Sequence, residues 1–117
     1  MAIPSGSGTE ILKRTSIHAN NDAWAILIDG VANHIYTVLS IVWCESGNAA
    51  ETIGLNIDIS AAGSNEINIL STSTALPANG TFIFNDRLVL TGTDELQAFS
   101  SAGNTDIYCS YIDQDWT

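Results

Sequence analysis

The chain has 117 residues, 45% of them apolar and only 14% charged, which points to one globular domain and excludes a disordered chain. Thirteen acidic residues stand against Lys13, Arg14 and Arg87, and the formal net charge of −10 excludes binding to a nucleic-acid backbone, which needs a basic surface. No run reaches the ~18 apolar residues of a membrane-spanning helix, and the first residues lack the charged and apolar regions of a signal peptide, so synthesis in a cytoplasm is expected.

Residues 1 to 8, rich in Gly and Ser with Pro4, read as a flexible arm, and residues 9 to 117 as a single domain. Glu10-Ile11-Leu12-Lys13-Arg14 reads as a short first strand, followed by a polar loop over Ala19-Asn20-Asn21-Asp22. Ala23 to Ile28 is the next strand, closed by the turn pair Asp29-Gly30. Ile35 to Glu45 is the longest apolar stretch. Its β-branched Ile35, Thr37, Val38, Ile41 and Val42, with Tyr36 and Trp43, favour strand over helix. Strict alternation would put Ile35, Leu39, Ile41 and Trp43 on one face and Tyr36, Val38, Val42 and Cys44 on the other. Both faces are then apolar, and the outer face of a sandwich should be polar, so a loop or a neighbouring subunit is expected to cover one of them.

Glu51 to Ser60 alternates with a period of two, Ile53, Leu55, Ile57 and Ile59 against Thr52, Gly54, Asn56 and Asp58, which no helix can accommodate. Ala61-Ala62-Gly63-Ser64-Asn65 turns the chain into a strand over Glu66 to Leu70. From Leu76 onward, short apolar runs are separated by Gly, Asn, Asp and Pro at close intervals: Thr81 to Phe84, Leu88 to Leu90, Glu95 to Phe99 and Asp106 to Ile112. Asn85-Asp86-Arg87 marks a bulge or bend between two of them. The pattern predicts an all-β fold, a small antiparallel β-sandwich of eight or nine strands, jelly-roll-like in its spacing.

Little in the chain is equipped for catalysis. His18 and His34 are scattered and belong to no nucleophile elbow, and no clustered metal ligands or Cys-x-x-Cys pair is present. Asp94-Glu95 and Asp113-Gln114-Asp115 read as solvated loop and tail charges, without the spacing of a Ca²⁺-binding EF-hand loop. Cys44 and Cys109 lie inside apolar strands and read as buried free thiols, although a bridge between neighbouring strands stays open. Trp24 and Trp43 read as core or interface residues, and Trp116, flanked by charge, as docked on this subunit or the next. No enzyme, cofactor or metal is implied.

The phrases Leu76-Pro77-Ala78-Asn79-Gly80-Thr81, Leu88-Val89-Leu90, Gly92-Thr93-Asp94-Glu95-Leu96, Ala102-Gly103-Asn104-Thr105-Asp106-Ile107 and Ser110-Tyr111-Ile112-Asp113, with the earlier Asp29 to Leu39, carry a likeness. Together they resemble the small jelly-roll virion proteins of tailed bacteriophages, the capsid decoration or cement type. The resemblance implies a non-enzymatic structural protein on the outer capsid surface of a virion, a homo-oligomer (a trimer is expected) seated on the major capsid protein. Nothing in it implies nucleic acid or a membrane. On that reading Tyr36, Val38, Val42 and Trp116 would pack between subunits, while Ile3, Pro4, Lys13 and Arg14 would touch the shell. A tail or fibre component is the alternative within the class, and a lectin-like module using the tryptophans and loop carboxylates the alternative outside it.

Overall fold

The structure is a computed structural model that describes residues 9–19, 23–101 and 103–116. Nine strands follow one another among these residues: β1 (Thr9–Ala19), β2 (Ala23–Asp29), β3 (His34–Glu45), β4 (Glu51–Asp58), β5 (Glu66–Leu76), β6 (Thr81–Phe84), β7 (Leu88–Thr91), β8 (Glu95–Ser100) and β9 (Thr105–Asp115). A single 3₁₀ turn over Ile59–Ala61 separates β4 from β5. Sheet A runs β1-β9-β3-β6, with β7 paired to the same strand β3, and sheet B runs β2-β8-β4-β5. All the pairings are antiparallel. The chain crosses between the sheets in the manner of a jelly roll, with β6 and β7 together taking the place of one edge strand.

The core lies between the sheets. Val38, Ile41, Trp43, Ile107 and Cys109 of sheet A meet Ile53, Leu55, Leu96 and Ala98 of sheet B, all essentially enclosed. Trp43 packs edge-on against Phe82, with ring centroids 5.8 Å apart, a favoured geometry for opposed aromatic quadrupoles.

The longest strand departs from the alternation read in the sequence. In β3, Val38 pairs with Tyr111 and Ser40 with Ser110, so Leu39 is an extra residue and forms a β-bulge. The bulge shifts the parity by one. Tyr36 and Val38 before it and Ile41 and Trp43 after it all face the core. The outer face is left with Ile35, Thr37, Val42 and Cys44. The bulge lies opposite Asn85-Asp86-Arg87, where the partner strand breaks into β6, on Ile41–Cys44, and β7, on Ile35–Val38. The irregularity expected at residues 85–86 is therefore shared by both strands.

Other boundaries differ for identifiable reasons. β1 runs on to Ala19 because its whole length pairs with β9. β5 includes the polar stretch Ser71 to Ala75, which a search for apolar runs passes over. Between Ile53↔Thr74 and Leu55↔Leu70 the register slips, and Thr72 folds against Gly54, where an added Cβ would lie 3.2 Å from its Cα. Ile59 leaves the alternating set and enters the 3₁₀ turn. The proposed arm of residues 1 to 8 and the loop residues 20–22 lie outside the described residues.

Candidate functional site

Antiparallel register places the outward side chains of sheet A in rows across β1, β9, β3 and the β6/β7 edge. One row is Leu12, Ile112, Thr37 and Val89; a second is Ser16, Tyr108, Val42 and Ile83. Between them run Arg14, Ser110 and Ser40. The flanking rows are Glu10, Gln114, Ile35 and Thr91 on one side, and His18, Asp106, Cys44 and Thr81 on the other. Leu12 is 72% exposed, Ile83 61% and Val89 60%, so two apolar rows lie open on a face that water should wet. Sheet B contrasts with this. Its outer side carries Trp24 against Phe99, centroids 5.4 Å apart, and a row of carboxylates, Asp29, Glu95, Asp58 and Glu66, of which Asp58 is buried and accepts from the Gly63 N–H.

Relief follows from the twist of sheet A. Tyr108 stands between two hollows. One of about 410 Å³ is lined by Ser16, Val42, Cys44 and Asp106; the other, of about 530 Å³, by Leu12, Arg14, Leu39 and Ser110. At one margin His18 is hydrogen-bonded through Nδ1 to Asp106.

The two ends of the sandwich are closed by carboxylates, of which Asp94 and Asp113 are ones the sequence presents as loop and tail charges. Asp113 is 5% exposed and accepts from Lys13 Nζ at 2.8 Å and from His34 Nδ1 at 2.7 Å. His34 Nε2 lies 3.4 Å from Asp115. Burial pushes the Asp113 pKa up, but the Lys13 and His34 hydrogen bonds more than offset this and hold it below the ordinary carboxylate value. His34 stacks on Tyr36, whose hydroxyl accepts from the Val31 N–H at 3.0 Å. Near that end Asp94 accepts from the Ser60 and Thr91 N–H groups at 2.9 and 3.1 Å. At the other end Glu45 accepts from the N–H groups of Gly47, Asn79 and Ala49 at 2.7, 2.9 and 3.1 Å. Glu51 accepts there from Ser100 and Thr105, both at 2.8 Å. These are ties between turns. Among the described residues no group of three or more His, Cys, Asp or Glu is placed to hold a metal ion.

The residues singled out from the sequence scatter over these surroundings. Tyr36 and Val38, expected between subunits, are 3% and 0% exposed inside the sandwich, a correction that follows directly from the Leu39 bulge. Val42 does lie on the outer face of sheet A. Trp116 docks on its own chain, its backbone N–H donating to Asn33 O at 3.0 Å and its indole nitrogen buried. Lys13 is tied to Asp113, whereas Arg14 points outward between the two apolar rows. Ile3 and Pro4 lie outside the described residues. Sequence reasoning missed Leu12, Tyr108, Ile112, Ile83 and Val89 as a surface. Each sits at the outward position of its strand, a signal that appears only once strand order and register are known. Trp24 is half exposed on sheet B and Trp43 is core. Cys44 and Cys109 are free thiols, Cys109 buried and Cys44 partly so.

No protein-family model matches the sequence, and no curated protein matches it. Solved structures do resemble it. One is a chain of the T13 IBDV viral particle, with a TM-score of 0.56 at 10% identity, covering 97% of this chain. The chain spans only 33% of that capsid chain's length. Another belongs to Bacillus endospore appendages, described as disulfide-linked pili, with a TM-score of 0.50 at 15% identity, covering 100% of this chain and 97% of that one. At such identities the likeness shows the fold alone.

Proposed function

We propose that the chain is a non-enzymatic structural protein of a phage virion, a capsid decoration protein that bridges and stabilises shell subunits as a homo-oligomer. The observation that carries the reading is the outer face of sheet A. A protein with a formal charge of −10 places only Glu10 and Asp106, at the margins, among the carboxylates of this face, and leaves two apolar rows uncovered. Burial of those rows in an assembly removes them from water, and binding only the assembled shell shifts the equilibrium toward that shell. The outward Arg14 supplies the charge for contact with an acidic partner. The viral-particle neighbour supports the reading at the level of fold.

Copy number per purified virion, by quantitative mass spectrometry, tests it. On the order of hundreds of copies fit a closed shell; about a dozen or fewer fit a single ring at a tail or portal and move the protein there. Absence from particles ends the virion reading. A repeating subunit of an extracellular filament is the second reading, favoured by the pilus neighbour, whose length this chain matches almost completely. Electron microscopy of the purified protein separates the two, because a filament subunit polymerises without a shell.

A further inference from the structure

The outer face of sheet A is matched to itself. Its charged side chains are Glu10, Arg14, His18 and Asp106, with Asp86 and Arg87 at the corner between β6 and β7, and His18 is already bonded to Asp106. The face is therefore close to neutral on a chain whose formal charge is −10, and neutral, apolar centres are what protein interfaces select. The structure measures 49 × 29 × 20 Å, so its broad side offers more than the ~800 Å² per partner of a standard interface. Sheet B is a poor partner for it, because docking there would strip water from Asp29, Glu95 and Glu66 with too few cations to meet them.

Two symmetric ways lay this face on a second copy with the strands of both aligned. An axis across the strands puts Arg14 on its own symmetry mate, which like charge disfavours. An axis along the strands reverses each row on itself. Leu12 then faces Val89 of the partner subunit, Ile112 faces Thr37 of the partner subunit, and Arg14 at the β1 margin meets the corner holding Asp86 of the partner subunit. The same operation sets Tyr108, which is 41% exposed, over Val42 of the partner subunit, beside the 410 Å³ hollow.

We propose that two copies of this chain pair face to face through the outer faces of sheet A, about a two-fold axis along the strands, with Tyr108 of each over the Val42–Cys44 hollow of the other and Arg14 of each against Asp86 of the other. Such an isologous contact closes on itself and replaces the expected trimer with a dimer or an even-numbered assembly built from it. The proposal rests on the structural reading above and names the partner of that face.

Light scattering on the full chain after size exclusion, at tens of micromolar, tests it. A two-chain particle is expected, and Leu12→Asp and Tyr108→Ala should each shift it to one chain while the circular dichroism of the sandwich is kept. Arg14→Asp should weaken the dimer by about tenfold, and adding Asp86→Arg should restore most of the loss. Both of these positions are exposed, so this pair carries the test if the apolar variants fail to fold. A monomeric or trimeric wild-type chain overturns the pairing. A dimer indifferent to Leu12 and Tyr108, or a double charge reversal without recovery, overturns it too. The virion measurement is separate: a monomer present in hundreds of copies refutes the dimer and leaves the decoration reading intact, and a dimer absent from particles does the reverse.

Discussion

Asp113 stays ionised although nearly enclosed, because Lys13 and His34 each bring a hydrogen bond to one of its oxygens. A carboxyl with a depressed folded pKa stabilises the fold above its unfolded pKa and loses that contribution as pH falls through the folded value. The contribution is complete above roughly pH 4 and fades below it. Lys13 runs the other way. The Asp113 hydrogen bond raises its pKa, so its share is present below about pH 10 and is lost in stronger alkali. Asp113→Asn is expected to cost roughly 1–3 kcal/mol in urea unfolding at neutral pH, and the gap to wild type should narrow below about pH 4. A gap that stays constant into acid would mean that charge has no part in it. Gly30 is a purely steric case. Its N–H donates to Asp94 O at 3.0 Å, and an added Cβ would lie 2.2 Å from Gly92 O and 2.3 Å from Asp94 O. Both contacts are backbone and cannot swing aside, so Gly30→Ala should cost roughly 1–3 kcal/mol by the same unfolding measurement. The sequence marked Gly30 as a turn residue; it could not show the two carbonyls that make glycine necessary.

At the scale of the element, β3 explains both the success and the error of reading this chain without its fold. Its length, β-branching and position follow from composition, and the strand appears where they put it. Its faces do not, because one bulged residue inverts every assignment on one side of it relative to the other. Deletion of Leu39 should therefore be tolerated better than deletion of a paired residue of the same strand. With Leu39 gone, Val38 and Ser40 become neighbours opposite Tyr111 and Ser110, and Tyr36, Val38, Ile41 and Trp43 all keep their inward parity. Deletion of Thr37 instead makes Tyr36 and Val38 neighbours, which cannot both face the core. The expected result is a soluble Leu39 deletion that keeps its near-ultraviolet aromatic signal, and loss of that signal on deletion of Thr37; an unfolded Leu39 deletion would show that the bulge is needed for more than parity. β5 and the end of β9 teach a related lesson. Thr74, Ala75 and Asp113 to Asp115 look like loop by composition, and they become strand because a neighbour supplies the ladder.

For the whole molecule, charge is arranged by sheet. Asp29, Glu95, Asp58 and Glu66 stand in direct register across sheet B, and like charges placed opposite one another on a sheet are destabilising. Asp29→Lys would put opposite charges at the exposed end of that row. A gain of about 0.5 kcal/mol in unfolding free energy is expected, larger in low salt than in high salt. No gain at low salt would mean that solvent already screens the row. The all-β class and the approximate strand count were legible from alternation and turn chemistry. The candidate surface was only half legible: an excess of apolar side chains was evident, but the residues that form it come from β1, β3, β6, β7 and β9, and only topology gathers them.

The two thiols give the protein a native reporter. Burial pushes the Cys109 pKa up to about 12, so at ordinary pH that sulfur resists alkylation, while Cys44 lies partly open on the outer face of sheet A. A thiol reagent should therefore mark a single position without any engineering. Its rate at Cys44, compared between chain diluted until it is monomeric, paired chain and assembled particle, would footprint the face directly: slowed labelling reports coverage, and a rate equal to that of the monomer reports a surface still bathed in solvent.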